Sequence, residues 1–357
     1  MTYKVVQWAT GGVGVSSLGA IIDHPDLELA GVFVYSADKV GKDAGALAGR
    51  AETGILATDD REAILALDAD VVIHAPLGHA VTEEQDRDVT ALLRSGKNVI
   101  STADYGSPRL RGPEYTAMLE AACAEGGTTL FGTGLDPELI LRIPVLLSSM
   151  CTEVKHVRIG EICYMASNPN YGVMVDTIGF GKDLADFTME SDGARYLMSY
   201  LPQIIDLCAQ HLGVTVDRIE PSIDLKPATR DFSIACTDIK KGTMAGAHLA
   251  LTGYSGDDAL ITIEFFWQVE KGIGGMPEPA DQYRWLIDIE GKPAINTVMD
   301  VGVSMNPALA FHEEHGFYAT AAVAINSIPE ICAAGPGLFH TPVFAPWQPR
   351  MAAPVKS

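Results

Sequence analysis

The chain is short of several things, and each shortage removes a class of function. No apolar stretch approaches the roughly 18 residues that a membrane-spanning helix requires; Leu139-Ile140-Leu141, for instance, meets Arg142 and then Pro144. Basic side chains are scarce: 25 Lys and Arg stand against 46 Asp and Glu, a formal net charge of −21. Phosphate backbones and anionic bilayers are repelled by such a field, so neither nucleic acid nor membrane is expected as a partner. Paired cysteines are missing. Cys123, Cys151, Cys163, Cys208, Cys236 and Cys332 are scattered, without the spacing of a zinc site or a redox dithiol, and are read as reduced, mostly buried thiols. His312-Glu313-Glu314-His315 holds its histidines one position too close for the i, i+4 ligand pair of a metalloprotease helix, so no metal is expected and a solvated helix start is read there. Met1-Thr2-Tyr3-Lys4 leads directly into Val5-Val6 without a basic and apolar leader, and a cytoplasmic protein is expected. The chain shows no internal repeat and no low-complexity tract.

What is present is a packed globular composition, 47% apolar and 20% charged, over 357 residues. That length exceeds what one hydrophobic core usually organises, so two domains are expected. The first part alternates strand and helix. Lys4 to Ala9 reads as a strand, Thr10-Gly11-Gly12-Val13-Gly14 as a turn, and Val15 to Ile22 as a helix by the spacing of Leu18, Ile21 and Ile22. His24-Pro25 stops that helix and Leu27 to Val34 supplies the next strand, completing a βαβ unit. Further strands are expected at 54–57, 70–76, 98–102 and 128–131, with helices over 61–67, 83–95 and 112–124. Beyond about residue 140 the strands become sequence neighbours: 243–254 with 259–270, and 283–289 with 293–301, read as antiparallel hairpins. A helix over 193–212 is expected to cover one face of that sheet, with Tyr196, Leu197, Tyr200, Leu201, Ile204, Ile205 and Cys208 on its apolar stripe. Residues 316–334 read as an alanine-rich helix kinked at Pro329, and Pro342 onward as a surface tail.

The glycine turn carries the first functional reading. A dinucleotide's diphosphate needs backbone N–H groups at a helix N-terminus, and glycine lets the chain approach it without a Cβ in the way. Thr10, Gly11, Gly12, Val13 and Gly14 lie between a strand and a helix, with Ser17 where the usual fingerprint has a third glycine. The end of the second strand selects the cofactor: an acid there binds the ribose 2′-hydroxyl, whereas basic groups suit a 2′-phosphate. Here Ser36 and Lys39, with Lys42 beyond, favour NADP(H), while Asp38 keeps NAD as the alternative. The loops Ala75-Pro76 and Thr102-Ala103-Asp104 fall at carboxyl ends of parallel strands and are expected to border the nicotinamide.

These residues, together with Gln7-Trp8-Ala9-Thr10-Gly11-Gly12-Val13-Gly14, Lys39-Val40-Gly41-Lys42-Asp43-Ala44-Gly45, Gly96-Lys97-Asn98-Val99-Ile100-Ser101-Thr102, Gly132-Thr133-Gly134-Leu135-Asp136-Pro137 and Ala334-Gly335-Pro336-Gly337, resemble the dihydrodipicolinate-reductase-like proteins that include 2,4-diaminopentanoate dehydrogenase and the native amine dehydrogenases. The resemblance covers nearly the whole chain. It implies an α/β protein with an N-terminal Rossmann-type parallel sheet and a second α+β domain built on a largely antiparallel sheet. The implied division is residues 1–140 for dinucleotide binding, 141–315 for substrate binding and dimerisation, and 316–357 as a C-terminal helix and tail packing back on the first domain. It further implies a homodimer acting on a small molecule, hydride transfer between a nicotinamide and an apolar ketone, imine or amine carbon, and Asp136 among the cofactor contacts.

In the amine dehydrogenases a glutamate after the Ser-Thr strand end is thought to assist ammonia and water chemistry; this sequence has Asp104 there, followed by Tyr105. A carboxylate one methylene shorter reaches roughly 1.5 Å less, and a general acid or base must come within about 3 Å of its proton. Tyr105 is the alternative proton donor and would suit a ketone reductase or alcohol dehydrogenase without amine chemistry. A nucleotide-sensing protein without turnover is the reading from outside the enzymes. Glu161 is the second candidate catalytic carboxylate, and Tyr164, Asn168 and Tyr171 the candidate substrate contacts, from their positions on and after a strand that resembles the family's substrate-facing segment.

Overall fold

The computed structural model describes residues 2–76, 81–136, 141–191, 193–195, 198, 201–280, 283–302, 314–341 and 350–351. The chain divides into two compact units, Met1–Leu139 with Gly316–Pro342, and Ile140–His315 with Val343–Ser357.

The first unit follows from its apolar runs. Strands β1 (Tyr3–Trp8), β2 (Leu27–Phe33), β3 (Val71–His74), β4 (Asn98–Ser101) and β5 (Thr129–Gly132) alternate with helices α1 (Gly12–Asp23), α2 (Ala44–Leu47), α3 (Arg61–Leu65), α4 (Glu83–Arg94) and α5 (Pro113–Gly126). With a short edge strand, Gly337–Leu338, they form one six-stranded sheet. Its order is edge strand, β5, β4, β3, β1, β2, and every pair is parallel. The central strands are apolar on both faces because both faces are covered. Val6, Trp8, Val72, Val99 and Leu130 pack into one buried cluster, and Val5, Val71, Ile73, Ile100 and Phe131 into another with Ile21, Ile325 and Ile328. Thr82 and Gln85 close the start of α4 as a reciprocal cap. The strand expected at 54–57 is absent: Leu56 makes only an isolated bridge to Asp43.

The helix expected over 316–334 is two helices, His315–Asn326 and Ile328–Ala333. Pro329 does not kink one long helix; it sits in the first turn of the second, where its missing N–H leaves no bond unmade. Arg350–Met351 pair with Glu153–Val154 in the second unit.

The second unit is built on strands β6 (Glu153–Tyr164), β7 (Arg218–Pro227), β10 (Met244–Ser255), β11 (Asp258–Gln268), β12 (Tyr283–Lys292) and β13 (Ile295–Val301); β8 (Phe232–Ser233) and β9 (Asp238–Ile239) form a separate ribbon. The order β13-β12-β6-β11-β10-β7 contains both expected hairpins, and β6 lies parallel to β11 and antiparallel to β12. The result is α/β in the first unit and a largely antiparallel sheet in the second. Helix α6 (Leu141–Ser148) and helix α7 (Pro202–Leu212) pack on one face. That face carries Ile159, Ile263, Phe265, Trp285 and Ile287, all buried. Of the expected helical stripe, Leu201, Ile204, Ile205 and Cys208 are buried, while Tyr196, Leu197 and Tyr200 lie outside the described residues. The segment 312–313 also lies outside them; a helix does begin at His315.

Candidate functional site

The carboxyl edge of the parallel sheet carries the candidate residues of the first unit. Strand order reverses between β1 and β3, the crevice where open α/β sheets take their ligands. Past the strand ends the ladder runs on by one residue: Ala75 N donates to Trp8 O (3.0 Å), Thr102 N to His74 O (2.9 Å) and Thr133 N to Ser101 O (2.8 Å). This fixes Ala75-Pro76, Thr102-Ala103 and the Thr133–Asp136 turn along one line; Leu77-Gly78 and Pro137 lie outside the described residues.

The glycine turn carries backbone strain at one residue. Ala9 has φ of 71°, the only left-handed residue other than glycine among those described. Gln7 braces it, donating from Nε2 to the Ala9 carbonyl at 2.8 Å. A Cβ on Gly14 would collide with that same carbonyl oxygen, so only glycine lets α1 start this close to β1. Ser17, in the place of the third glycine, is fully buried and donates to Val13 O at 2.9 Å, which keeps helix and sheet in contact. The first turn of α1 carries no acid, and Gly11 at its cap offers no side chain. Its leading amides therefore have no competing carboxylate, and the twelve-residue helix directs its positive end into the turn. This cradle fits a dinucleotide diphosphate. Lys39, beyond the end of β2, reaches the same turn: Nζ donates to Thr10 O (2.7 Å) and to Thr10 Oγ1 (3.2 Å). Ser36 is exposed beside it, and Asp38 faces Lys42 in an exposed pair at 4.0 Å.

Asp104 lies beyond the end of β4 with its side chain 10% exposed. Burial pushes its carboxyl up to about 6, opposed by the Arg111 guanidinium at 3.6 Å. The turn that carries it is held from below: Ala103 N donates to Ser101 Oγ (3.1 Å), which meets His74 Nδ1 at 2.9 Å. His74 is completely buried, its Nε2 has no partner, and burial pushes its pKa down to about 3, so it stays neutral. A Cβ on Gly132 would run into the backbone of Tyr105, so glycine at the end of β5 is what lets this turn lie flat on the sheet. Asp136, beyond β5, is a second carboxyl that burial pushes up to about 6.

Tyr105 is placed differently from its neighbour. Its ring is buried, and its hydroxyl donates to Asp86 Oδ1 on α4 at 2.9 Å. Burial and the Asp86 charge raise its pKa far above the usual phenol range. Tyr115 on α5 donates to the same carboxylate oxygen at 2.6 Å.

In the second unit Glu161 is buried on the helix-covered face of β6, between Phe265 and Trp285 in the cross-strand register, and accepts from Trp267 Nε1 at 3.3 Å. Tyr283 and Cys163 follow on that face, and Tyr283 donates to Glu314 at 2.7 Å. Tyr164 does not join them. Side chains alternate along a strand, so residues three apart leave opposite faces, and Tyr164 instead has Lys271 over its ring at 5.0 Å. Asn168 is occupied locally: its Oδ1 accepts from Asn170 N (2.9 Å), which opens the turn into a wide helical segment, Gly172–Thr177. Tyr171, just before that segment, is exposed.

Residues 139–346 match the family described as the 2,4-diaminopentanoate dehydrogenase C-terminal domain. The chain belongs to that family. It is 30% identical over 311 residues to an amine dehydrogenase from Streptomyces virginiae, a span of 83% of this chain and 84% of the relative. It is 26% identical over 262 residues to the 2,4-diaminopentanoate dehydrogenase of Acetoanaerobium sticklandii, covering 70% of this chain and 66% of that one. Among solved structures it superposes on an amine dehydrogenase from Mycobacterium smegmatis with a TM-score of 0.75 at 20% identity, over 95% of each chain. This family member is therefore an amine dehydrogenase-like oxidoreductase that uses a nicotinamide dinucleotide and a small-molecule substrate. Among the described residues no helix is long and apolar enough to cross a membrane.

Sequence reasoning missed His74, Asp86, Arg111 and Tyr115. His74 had a local signal, a histidine closing an apolar strand. The other three had none, because their partners lie on other elements.

Proposed function

We propose that this chain is a cytoplasmic homodimer that oxidises a small, mostly apolar primary amine with NADP+, and runs the reverse reductive amination, with Asp104 handling the proton. The observation that carries this reading is Asp104 itself: a carboxyl almost sealed from water at the strand end beside the crevice, where burial pushes its pKa up to about 6. Its pKa matches the working pH of a general base. Thr10, Gly11, Gly12, Val13 and Gly14 would hold the diphosphate, with Ala75, Pro76, Thr102, Ala103 and Asp136 beside the nicotinamide end. When bound, the cofactor supplies the hydride acceptor or donor. The ionised Asp104 carboxylate takes the proton from the substrate's ammonium, freeing the lone pair that drives hydride loss; after passing that proton to solvent, it takes one from the water that adds to the resulting iminium carbon and returns it to the nitrogen, which leaves as ammonia while the carbinol oxygen loses its own proton to water. Lys39 and Ser36 favour the 2′-phosphate of NADP(H), since the ammonium already sits on the turn that takes the diphosphate. Glu161 is the second carboxylate proposed for the substrate, and the apolar side chains flanking it suit an apolar body.

The ketone-reductase reading would need the Tyr105 hydroxyl, which is bound to Asp86. Ammonium separates the two. NADPH oxidation driven by a cyclic ketone is expected to depend on added ammonium and to yield the amine; turnover to an alcohol without ammonium would overturn the amine reading.

A further inference from the structure

Asp104 is one member of a closed polar ring. Arg111, at the end of the 3₁₀ turn Pro108–Arg111, places Nη2 at 3.6 Å from Asp104 Oδ2 and donates from Nη1 to the Tyr115 hydroxyl at 3.3 Å. Its guanidinium also lies 5.0 Å from the centre of the Tyr115 ring. Tyr115 donates to Asp86 Oδ1, and so does Tyr105, the chain neighbour of Asp104, which closes the ring. Three elements hold it: α4 gives Asp86, α5 gives Tyr115, and the loop after β4 gives the rest.

We infer that Arg111 is a positioning residue for Asp104, which holds the carboxylate in one orientation as an anion and is itself fixed by the Tyr115–Asp86 strut. Three features support this. Arg111 is the only ion-pair partner of Asp104 among the described residues. A guanidinium on a flexible stem at the surface loses rotamer freedom when it is held, and here the aromatic face and the phenol oxygen have already restricted it. Asp86 gives the strut a fixed anchor, because the buried Tyr105 phenol and the half-buried Tyr115 phenol share its Oδ1. Among the described residues the ionisable groups on the elements around Asp104 are Arg111, Tyr115 of α5, Asp86 of α4, Tyr105 beside it, His74 of β3 and Asp136 in the turn after β5; Arg109, on the same turn as Arg111, is exposed. Both tyrosines are held protonated, His74 is held neutral and burial pushes Asp136 toward its neutral form, so among the described residues Arg111 and, behind it, Asp86 are the charges that act.

This assignment rests on the reading of Asp104 as the proton-handling group, but its test does not require activity. The carboxyl of Asp104 is titrated directly by carbon NMR on protein labelled at aspartate, with Asp104→Asn identifying the signal. An opposite charge at this range is worth about one to three pH units. Burial then stands unopposed in Arg111→Met, so its Asp104 midpoint is expected to rise by about one unit or more, with Arg111→Lys restoring part of the shift. Tyr115→Phe keeps the ring but loses both hydrogen bonds of the hydroxyl, and is expected to move the midpoint in the same direction by less. In turnover, the acid limb of the kcat/KM profile for amine oxidation should follow the NMR midpoint across these variants, with NADP+ affinity unchanged. An unmoved midpoint in folded Arg111→Met and in Tyr115→Phe would overturn the inference. A moved midpoint with full activity in Asp104→Asn would leave the ring intact and remove Asp104 from the chemistry.

Discussion

At the scale of single residues, environment decides what each ionisable group does. Asp104 and Asp136 are both pushed toward neutrality by burial, and Asp104 has the Arg111 guanidinium at 3.6 Å to oppose that shift. His74 shows the opposite effect with a testable sign. Its ordinary pKa is about 6.5, and burial takes it to about 3 in the folded chain. Above pH 6.5 both states are neutral there and the residue costs nothing through titration. As pH falls below 6.5 the unfolded chain takes a proton that the folded chain refuses, and stability declines by about 1.4 kcal/mol per pH unit. Urea unfolding across pH 6.5 to 4.5 is therefore expected to show a shallower decline in His74→Gln than in the parent; parallel curves would show that His74 is not buried neutral. Lys39 is tested by charge reversal. Lys39→Glu is expected to erode the preference for NADPH over NADH in fluorescence titrations, and an unchanged ratio would show that the 2′-phosphate is read elsewhere.

At the scale of elements, the glycine turn depends on one close approach more than on a motif. The Gly14 Cα faces the Ala9 carbonyl with no room for a methyl group. Gly14→Ala must push α1 away from β1, and overpacking of this kind costs about 1–3 kcal/mol. Thermal unfolding of the variant should fall accordingly, with weakened coenzyme binding; an unchanged transition would mean that the turn tolerates the displacement. Much of this unit was legible in the sequence, because a parallel strand buried on both faces writes itself as a local apolar run: β1, β3 and β4 lie where Val5-Val6, Val71-Val72-Ile73 and Val99-Ile100 put them. The 54–57 segment looked similar and is not a strand, since its backbone bonds go to the bend around Asp43. In β6 the sequence placed Glu161 and Tyr164 in one segment, but strand alternation sends residues three apart to opposite faces, which periodicity alone cannot assign to a site.

At the scale of the whole molecule, the expected change of rhythm near residue 140, from strands separated by helices to paired neighbours, is met by the hairpins β10–β11 and β12–β13, while α7 still separates β6 from β7. The expectation that the segment from residue 316 packs back on the first domain came with the resemblance, since an alanine-rich helix by itself carries little information about which sheet it covers. The ring around Asp104 was not legible at all: Asp86, Arg111 and Tyr115 reach it from separate elements, and only the packing of α4 on α5 brings them together. The family fixes the class of chemistry, while the residue that handles the proton is assigned on geometry. The measurement that bears on this most directly is a single-turnover oxidation of an apolar amine by NADP+ in the parent and in Asp104→Asn. The account predicts that the variant binds NADP+ as the parent does while hydride transfer slows by about 10²- to 10⁴-fold. Hydride transfer at the parent rate in Asp104→Asn would contradict it.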